Sequence, residues 1–484
     1  MNIHIDNPLE IEPSAGQEPL ISLDNLVVEL AKIVGDMRVK TDPDTRVQWG
    51  KDQTRLFEPN PIAVVFPSTT EQVQAIVKLA IRYDIGITPS GGRTGLSGGA
   101  VAKNGEIVLS LDKMNQILEF LPADRIVRLQ SGVITEQLQN FAEEQGYFYP
   151  VDFASSGSSQ IGGNISTNAG GIKVIKYGMT RNWILGMTVV TGRGDILRLN
   201  KGMIKNATGY ALQHLFIGGE GTLGIITEVE ARLERQPQNL QVLVLGVPNF
   251  DAVMPILHEF RRKIDLTAFE FFNENAMAKV IDTGHVQRPF ASEAPFYVLL
   301  EYEAPFEAIE NTAMQIFEHC LEEGWVLDGV MSQSLEQCQN LWRLREDISE
   351  SLSSYVTNKN DISVLISHVP SFIKDIENLL STSYPGFETC WFGHIGDGNL
   401  HLNILKPEQM TKEQFLYHCQ SINPKIFNIV QHYEGSISAE HGVGLTKKPY
   451  LNFSRTEVEI EYMRELKKVF DPHWIMNPGK IMDL

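Results

Sequence analysis

The chain has 484 residues, 43% of them hydrophobic and 21% charged, a composition expected of a soluble globular protein too long for a single hydrophobic core. Sixty Asp and Glu against 41 Lys and Arg leave a net charge of −19, which argues against nucleic acid or an anionic membrane as a bulk partner and means that an acidic substrate would need its own local cluster of cations. The cysteines (Cys320, Cys338, Cys390, Cys419) show no CxxC spacing, the N-terminus has no signal- or transit-peptide pattern, and no apolar run approaches the ~20 residues that span a bilayer. A cytoplasmic protein is expected, any contact with an inner membrane being peripheral.

Residues 1–60 read as an N-terminal cover, with a helix over Ser22–Gly35 followed by a polar, irregular stretch. From Pro61 the pattern alternates: an apolar strand at 62–66, a helix from Thr70 with apolar residues at helical spacing and an N-cap at Thr69 or Thr70, then a strand from Ile85. This is the βαβ idiom of a nucleotide-binding domain. Glycine then concentrates in Ser90-Gly-Gly-Arg-Thr-Gly-Leu-Ser-Gly-Gly, in Gly162-Gly163-Asn164 and Asn168-Ala-Gly-Gly171, and in Gly218-Gly-Glu-Gly-Thr-Leu-Gly224. Several loops in which backbone amides can approach an anion suggest a long phosphate-bearing ligand. A Walker A motif is missing, and so is Gly-x-Gly-x-x-Gly in the Rossmann context, so neither an ATPase nor a typical NAD enzyme is indicated.

Between Asn239 and about Asn428 glycine thins out, and strands at 240–247 and 296–303 alternate with helices at 250–260 and 305–323, as in an antiparallel sheet covered by helices. Near the end of this stretch, strands before His394 and from Leu400 flank the turn Gly393-His-Ile-Gly-Asp-Gly-Asn-Leu-His401. Leu400, Leu402 and Ile404 fall on one face, His401 and Asn403 on the other, where they can share a wall with His394. A second segment, Ser438-Ala-Glu-His-Gly442, adds Glu440 and His441. Two imidazoles and a carboxylate with positions left open suit a catalytic divalent metal. A lone histidine is more simply a core residue bonded to a carbonyl, but three histidines and a glutamate in two glycine-flanked segments favour a metal beside a base. If the second segment is extended, Glu440 and His441 must face different ways.

These motifs carry a resemblance. Residues 61–233 resemble the flavin domain of the vanillyl-alcohol-oxidase-type FAD family, with Pro-Ser-Gly-Gly-Arg-Thr-Gly-Leu-Ser-Gly as its pyrophosphate loop. The two histidine segments resemble the C-terminal domain of the D-2-hydroxy-acid dehydrogenase branch, which includes D-2-hydroxyglutarate and D-lactate dehydrogenases and the glycolate oxidase flavoprotein subunit. The implied architecture is α+β: a two-subdomain FAD-binding domain at 61–236, an antiparallel-sheet substrate domain covered by helices at 237–428, and a C-terminal segment at 429–484 that returns to the FAD domain.

The resemblance places Pro89, Ser90, Gly91, Gly92, Arg93, Thr94, Gly95, Leu96 and Gly98 at the FAD pyrophosphate. Asp152, Ser158, Gly162, Gly163, Asn164, Thr167, Asn168 and Gly171 follow along the cofactor, with Gly221 and Ile226 toward adenine and Asn477 near the flavin ring. Relatives that attach flavin covalently carry histidine where this chain has Arg93, so non-covalent FAD is implied. His394, His401 and Glu440 correspond to metal ligands, zinc being the expected ion, and His441 to the base that takes the hydroxyl proton as hydride passes to flavin N5. Arg345, Ser349, Lys359 and Asn399 would meet the substrate, with Arg345 the stronger carboxylate grip because its fork can bond twice. The implied activity is oxidation of a D-2-hydroxy acid, D-2-hydroxyglutarate ahead of D-lactate or glycolate, although Ser349 stands where hydroxyglutarate enzymes often have threonine. The implied acceptor is an electron-transfer flavoprotein or quinone, and a homodimer is compatible. A flavin subunit that only relays electrons is the reading from another class.

Overall fold

The computed structural model describes residues 21–483; the first twenty residues of the expected cover lie outside it. A helix over Leu23–Val34, capped by Ser22, buries Leu26, Leu30 and Val34 against the first sheet. That sheet contains β1 (Val39–Lys40), β2 (Ala63–Val65), β3 (Ile87–Ser90) and β4 (Ile107–Ser110) in the order β1-β2-β4-β3, with β2, β4 and β3 parallel. The crossover helix Thr70–Tyr83 starts where expected, the Thr69 hydroxyl accepting the Gln72 N–H, and its apolar stripe Val73, Ile76, Val77 and Ala80 is buried.

The second sheet is antiparallel. It contains β5 (Ile117–Leu121) and β6 (Ile126–Gln130); after the short strand β7 (Tyr147–Phe148) come β8 (Ile184–Thr191), β9 (Ile196–Leu199) and β10 (Gly224–Arg232), in the order β5-β6-β10-β8-β9. β7 pairs separately with β11 (Glu234–Arg235). Each of these two sheets has its own apolar core, which gives the N-terminal half its two subdomains.

The third sheet has seven antiparallel strands: β12 (Leu240–Val247), β13 (Leu266–Asn273), β14 (Phe296–Glu303), β15 (Asp328–Met331), β16 (Thr357–Ser363), β17 (Thr389–His394) and β18 (Asn399–Leu405). Their order is β15-β12-β14-β13-β17-β18-β16. One face packs on the helices Val253–Lys263, Glu307–Glu322, Val369–Ser383 and Lys412–His432. The other carries a smaller apolar cluster with the helices Glu274–Ile281 and Leu335–Glu346. The boundary read at 428/429 falls inside the 412–432 helix, whose amphipathic run continues for another turn. After the helix Glu457–Phe470 the chain returns to the first sheet: Ile87 N–H donates to Ile475 O at 2.7 Å, and Asn477 N–H to Ile87 O at 2.7 Å. No helix among the described residues is long and apolar enough to cross a membrane.

Candidate active site

The hairpin β17–β18 sets one wall. Its register pairs Phe392 with His401 and His394 with Asn399, so the side-chain period of two turns His394, His401 and Asn403 to one face, while Leu400, Leu402 and Ile404 enter the large core. The neighbouring strand places Glu270 directly opposite His394. The Glu270 carboxylate lies 2.8 Å from His394 Nδ1 and 2.9 Å from Arg345 Nη2. Burial alone would lower the His394 imidazole, but the charge and hydrogen bond of Glu270 outweigh it and hold the group up at about 9. His401, buried without so close an anion, is pushed well below its ordinary value, with Asp361 opposing that shift.

The second segment is not extended. Residues 439–441 form a run of bends, so Glu440 and His441 face the same space rather than parting. Glu440 Oε1 lies 4.0 Å from His394 Nε2, 3.6 Å from His401 Nε2 and 3.8 Å from His441 Nε2. Three imidazole nitrogens thus converge on one carboxylate oxygen. Behind them sits Asp361 on β16, paired in register with His401. Its carboxylate accepts the backbone N–H of Glu440 (3.1 Å) and of His441 (2.9 Å) and the Asn399 side-chain N–H (3.0 Å), and lies 3.5 Å from His441 Nδ1 and from Lys447 Nζ. Burial works against ionisation of Asp361, yet His441, Lys447, His401 and the His441 N–H together hold it well below the usual carboxylate range. The closely spaced ligand atoms among the described residues are those of Asp361, His401, Glu440 and His441, a group that takes in two of the three expected ligands and leaves out His394.

This cluster opens into a long cleft whose other walls are the glycine loops. Pro89, Ser90, Gly91, Gly92, Arg93, Thr94, Gly95, Leu96, Gly162, Gly163, Asn164, Thr167, Gly171, Gly221, Ile226 and Asn477 all line it, as do Arg345, Ser349 and Lys359. The glycine at 92 has a steric reason: a Cβ there would meet Ser158 O at 2.1 Å. Ser90, Gln160 and Asn477 each bring a buried side-chain oxygen with no protein partner to these walls, and Arg345 brings an unpartnered Nε. Arg93 adopts φ +60° and folds back, donating to Gly91 O at 2.9 Å and stacking on Trp49 at 5.0 Å.

Five of the residues expected at the site lie behind the cleft wall. Gly98 packs on Leu445 and Phe57; Ser158 presses its carbonyl toward Gly92; the Asp152 carbonyl touches Gly171 in the same way. Asn168 ends the helix Ile161–Thr167 in a left-handed conformation and caps Arg181 N–H at 3.1 Å. Asn399, expected to meet the substrate, is turned away: its amide donates to Asp361 and, at 3.0 Å, to Ile362 O. Asn403, two residues beyond His401 on the same strand face, lines the cleft instead.

Sequence reasoning missed Glu270, Asp361, Lys447 and Glu220. An acid inside Phe269-Glu-Phe-Phe272 and an aspartate two residues after Lys359 were available signals for the first two. Glu220 is buried on the cleft wall and accepts Val443 N–H at 2.6 Å and Gly444 N–H at 2.8 Å. Burial raises its carboxyl to about 7 against the pull of those two bonds. Lys359 opens into the cleft with no carboxylate within ion-pair reach among the described residues, and burial together with Arg55 lowers its ammonium.

Comparison with known proteins gives the same outline. Residues 61–200 match an FAD binding domain and residues 236–481 the C-terminal domain of FAD linked oxidases. The chain is 60% identical to the D-2-hydroxyglutarate dehydrogenase of Stutzerimonas stutzeri over 94% of its own length and 98% of that protein, and 49% identical to the Xanthomonas citri pv. viticola protein of the same name over 95% and 97%. Its fold is similar to that of p-cresol methylhydroxylase, with a TM-score of 0.77 at 15% identity over 95% of this chain and 97% of that one.

Proposed function

We infer that this chain, which belongs to the FAD-linked oxidase family, is an FAD- and divalent-metal-dependent dehydrogenase that oxidises D-2-hydroxyglutarate to its 2-oxo acid. The observation that carries the reading is one cleft shared by the glycine loops, the His394/His401/Glu440/His441 cluster and the two cations Arg345 and Lys359.

The residues present fit both absent groups. For FAD, the unpartnered oxygens of Ser90, Gln160 and Asn477 want hydrogen-bond donors, and Gly91, Gly92, Gly162 and Gly163 leave room for a diphosphate beside backbone. For the metal, His394, His401 and Glu440 supply the nitrogen–nitrogen–oxygen donor set that suits zinc and leaves positions open. When bound, the flavin supplies a two-electron acceptor and the ion a Lewis acid.

The remaining work falls to side chains of this chain. Arg345 offers its free Nε, beside the edge already held by Glu270, to the carboxylate next to the reacting carbon. Lys359 meets the far carboxylate. His441 takes the hydroxyl proton at Nε2, because Asp361 on the other side of the ring favours the tautomer with the proton on Nδ1. Glu270 does the corresponding service for His394, bonding Nδ1 and leaving Nε2 toward Glu440.

Steady-state dye reduction with D-2-hydroxyglutarate, D-lactate, D-malate and glycolate, on metal-loaded and EDTA-treated protein, tests the assignment. The highest kcat/KM is expected for D-2-hydroxyglutarate, with activity lost on chelation and restored by metal. No turnover of D-2-hydroxyglutarate by the metal-loaded flavoprotein overturns it.

A further inference from the structure

The loop that carries Glu440 and His441 has no helix or strand of its own until Lys448, and it is held at both ends by side chains from elsewhere. Its first half is bonded to Asp361 in the substrate sheet. Its second half is bonded to the flavin cradle. The two oxygens of Glu220 separately accept the consecutive N–H groups of Val443 and Gly444. Ser97 O accepts Leu445 N–H at 2.8 Å and Thr446 N–H at 3.1 Å, while the Ser97 hydroxyl donates to His441 O at 2.8 Å.

Sterics show how closely these surfaces approach. A Cβ on Gly442 would come within 2.9 Å of Glu220 Oε1, and one on Gly444 within 2.2 Å of Ser97 O. Glu220 itself sits at φ +47°, a left-handed conformation that a glutamate adopts at a cost. Its carbonyl is fixed by the Asn477 amide at 2.7 Å, and the same amide reaches Gly99 O at 2.8 Å. Ser97, Gly99, Glu220, Gly221 and Asn477 all line the cleft assigned to the flavin. Whatever orders those walls therefore also fixes the backbone from which Glu440 and His441 project.

We propose that Glu220 is a positioning residue that couples the two ligands of the site: flavin in its cradle sets the Glu440–His441 loop through Glu220, so FAD and the divalent cation bind with positive cooperativity. This rests on the flavin and metal reading given above. Coupling is reciprocal, so the factor by which FAD tightens the cation must equal the factor by which the cation tightens FAD, on the order of 5–150-fold for ordinary allosteric coupling.

The test uses the purified full chain, metal-stripped, with FAD retained or removed, and reads the zinc dissociation constant by chelator competition. In the wild type, removing FAD should weaken zinc about tenfold, inside that range. Glu220→Gln keeps the size but sets an amide NH2 against one of two N–H groups. It should bind FAD by absorbance yet hold zinc as weakly as the flavin-free wild type, with no gain on adding FAD. Equal zinc affinity with and without FAD in the wild type, or full coupling in E220Q, overturns the proposal. If E220Q does not fold, FAD affinity of the wild type with and without zinc measures the same coupling without a variant, and its absence overturns the proposal equally. His394→Ala separates the underlying reading: zinc binding by FAD-loaded H394A as tight as by wild type removes the metal assignment itself, and the inference with it.

Discussion

Replacing Asp361 by Asn tests the construction of the base. The carboxylate is 2% exposed, accepts two main-chain N–H groups and the Asn399 amide, and faces two partners at 3.5 Å, Lys447 Nζ and His441 Nδ1. An asparagine keeps the shape but has one acceptor and no charge. Lys447 loses its one ion-pair partner among the described residues, a loss that costs about 3–5 kcal/mol in buried pairs and that the charges of Glu220 and Glu440 offset in part. The lowered ammonium of Lys447 sets a ceiling, since it can shed its proton instead. The larger effect is on His441. The oxygen that accepts the Glu440 and His441 N–H groups is also the one facing His441 Nδ1, so the amide oxygen keeps that place and the ring loses the negative charge that stabilises it once it has taken the proton, out of a general-base contribution of about 10²–10⁴-fold in rate. Stopped-flow reduction of the bound flavin by D-2-hydroxyglutarate, on protein whose FAD and metal contents match wild type, reads this directly. Flavin reduction by such D361N protein at the wild-type rate would refute the reasoning, because the partner of His441 Nδ1 would then be irrelevant to the chemistry.

His441→Gln should slow flavin reduction by about 10²–10⁴-fold while metal content holds; if the metal is lost too, the roles of Glu440 and His441 must be exchanged. In the metal-free protein Glu270 raises His394 to about 9, so at pH 7 this ring carries a proton that an incoming cation must displace. Zinc affinity should therefore rise as pH increases toward 9, by up to about tenfold per unit, and calorimetry in buffers of different ionisation enthalpy should show a proton released; no release contradicts the assignment of His394. Arg345→Lys removes the fork that bonds Glu270 and substrate together, and should lower kcat/KM by about 1.5–3 kcal/mol, the worth of a charged hydrogen bond. Lys359→Met should raise KM for D-2-hydroxyglutarate and leave D-lactate turnover unchanged; an equal effect on both substrates would mean that Lys359 does not meet the far carboxylate.

The parts of the site that were legible in the sequence are those fixed by local periodicity. The alternation Leu400, His401, Leu402, Asn403, Ile404 needed only the strand period to put the imidazole and amide on the wall opposite the core. The helix from Thr70 announced its cap and apolar stripe, and the glycine loops announced close backbone approach. What was not legible depends on contacts across long separations. Glu220 meets Val443 and Gly444, more than two hundred residues away, and nothing in Gly-Gly-Glu-Gly says which N–H groups its carboxylate will find. Asn168 opens one of the expected glycine-rich runs and Ser158 precedes another, but turn chemistry uses one as a helix end and the other as a backbone abutment. Glu270 and Asp361 occupy the middle ground. An acid within an apolar run such as Phe269-Glu-Phe-Phe272 must be paired when buried, so Glu270 could have been marked as a buried anion awaiting a cation, though not which one, whereas the polar run around Asp361 gave a weaker signal.

The charges around the cleft give the choice of acid a physical basis beyond resemblance. Arg345 is buried, ion-paired with Glu270 through Nη2 and without a protein partner at Nε, so on the proposed roles a substrate carboxylate would supply the missing acceptor. Lys359 is in the opposite condition. It has no anion of its own among the described residues, and burial, with the nearby cation Arg55 adding to it, weakens its hold on the proton. A ligand with one carboxylate satisfies Arg345 and leaves Lys359 as it was. A ligand with a second carboxylate would give Lys359 an anion to set against Arg55 and raise its ammonium back toward the ordinary lysine value. On the proposed roles, discrimination would come from the charge of Lys359, which a dicarboxylate would meet and a monocarboxylate would not.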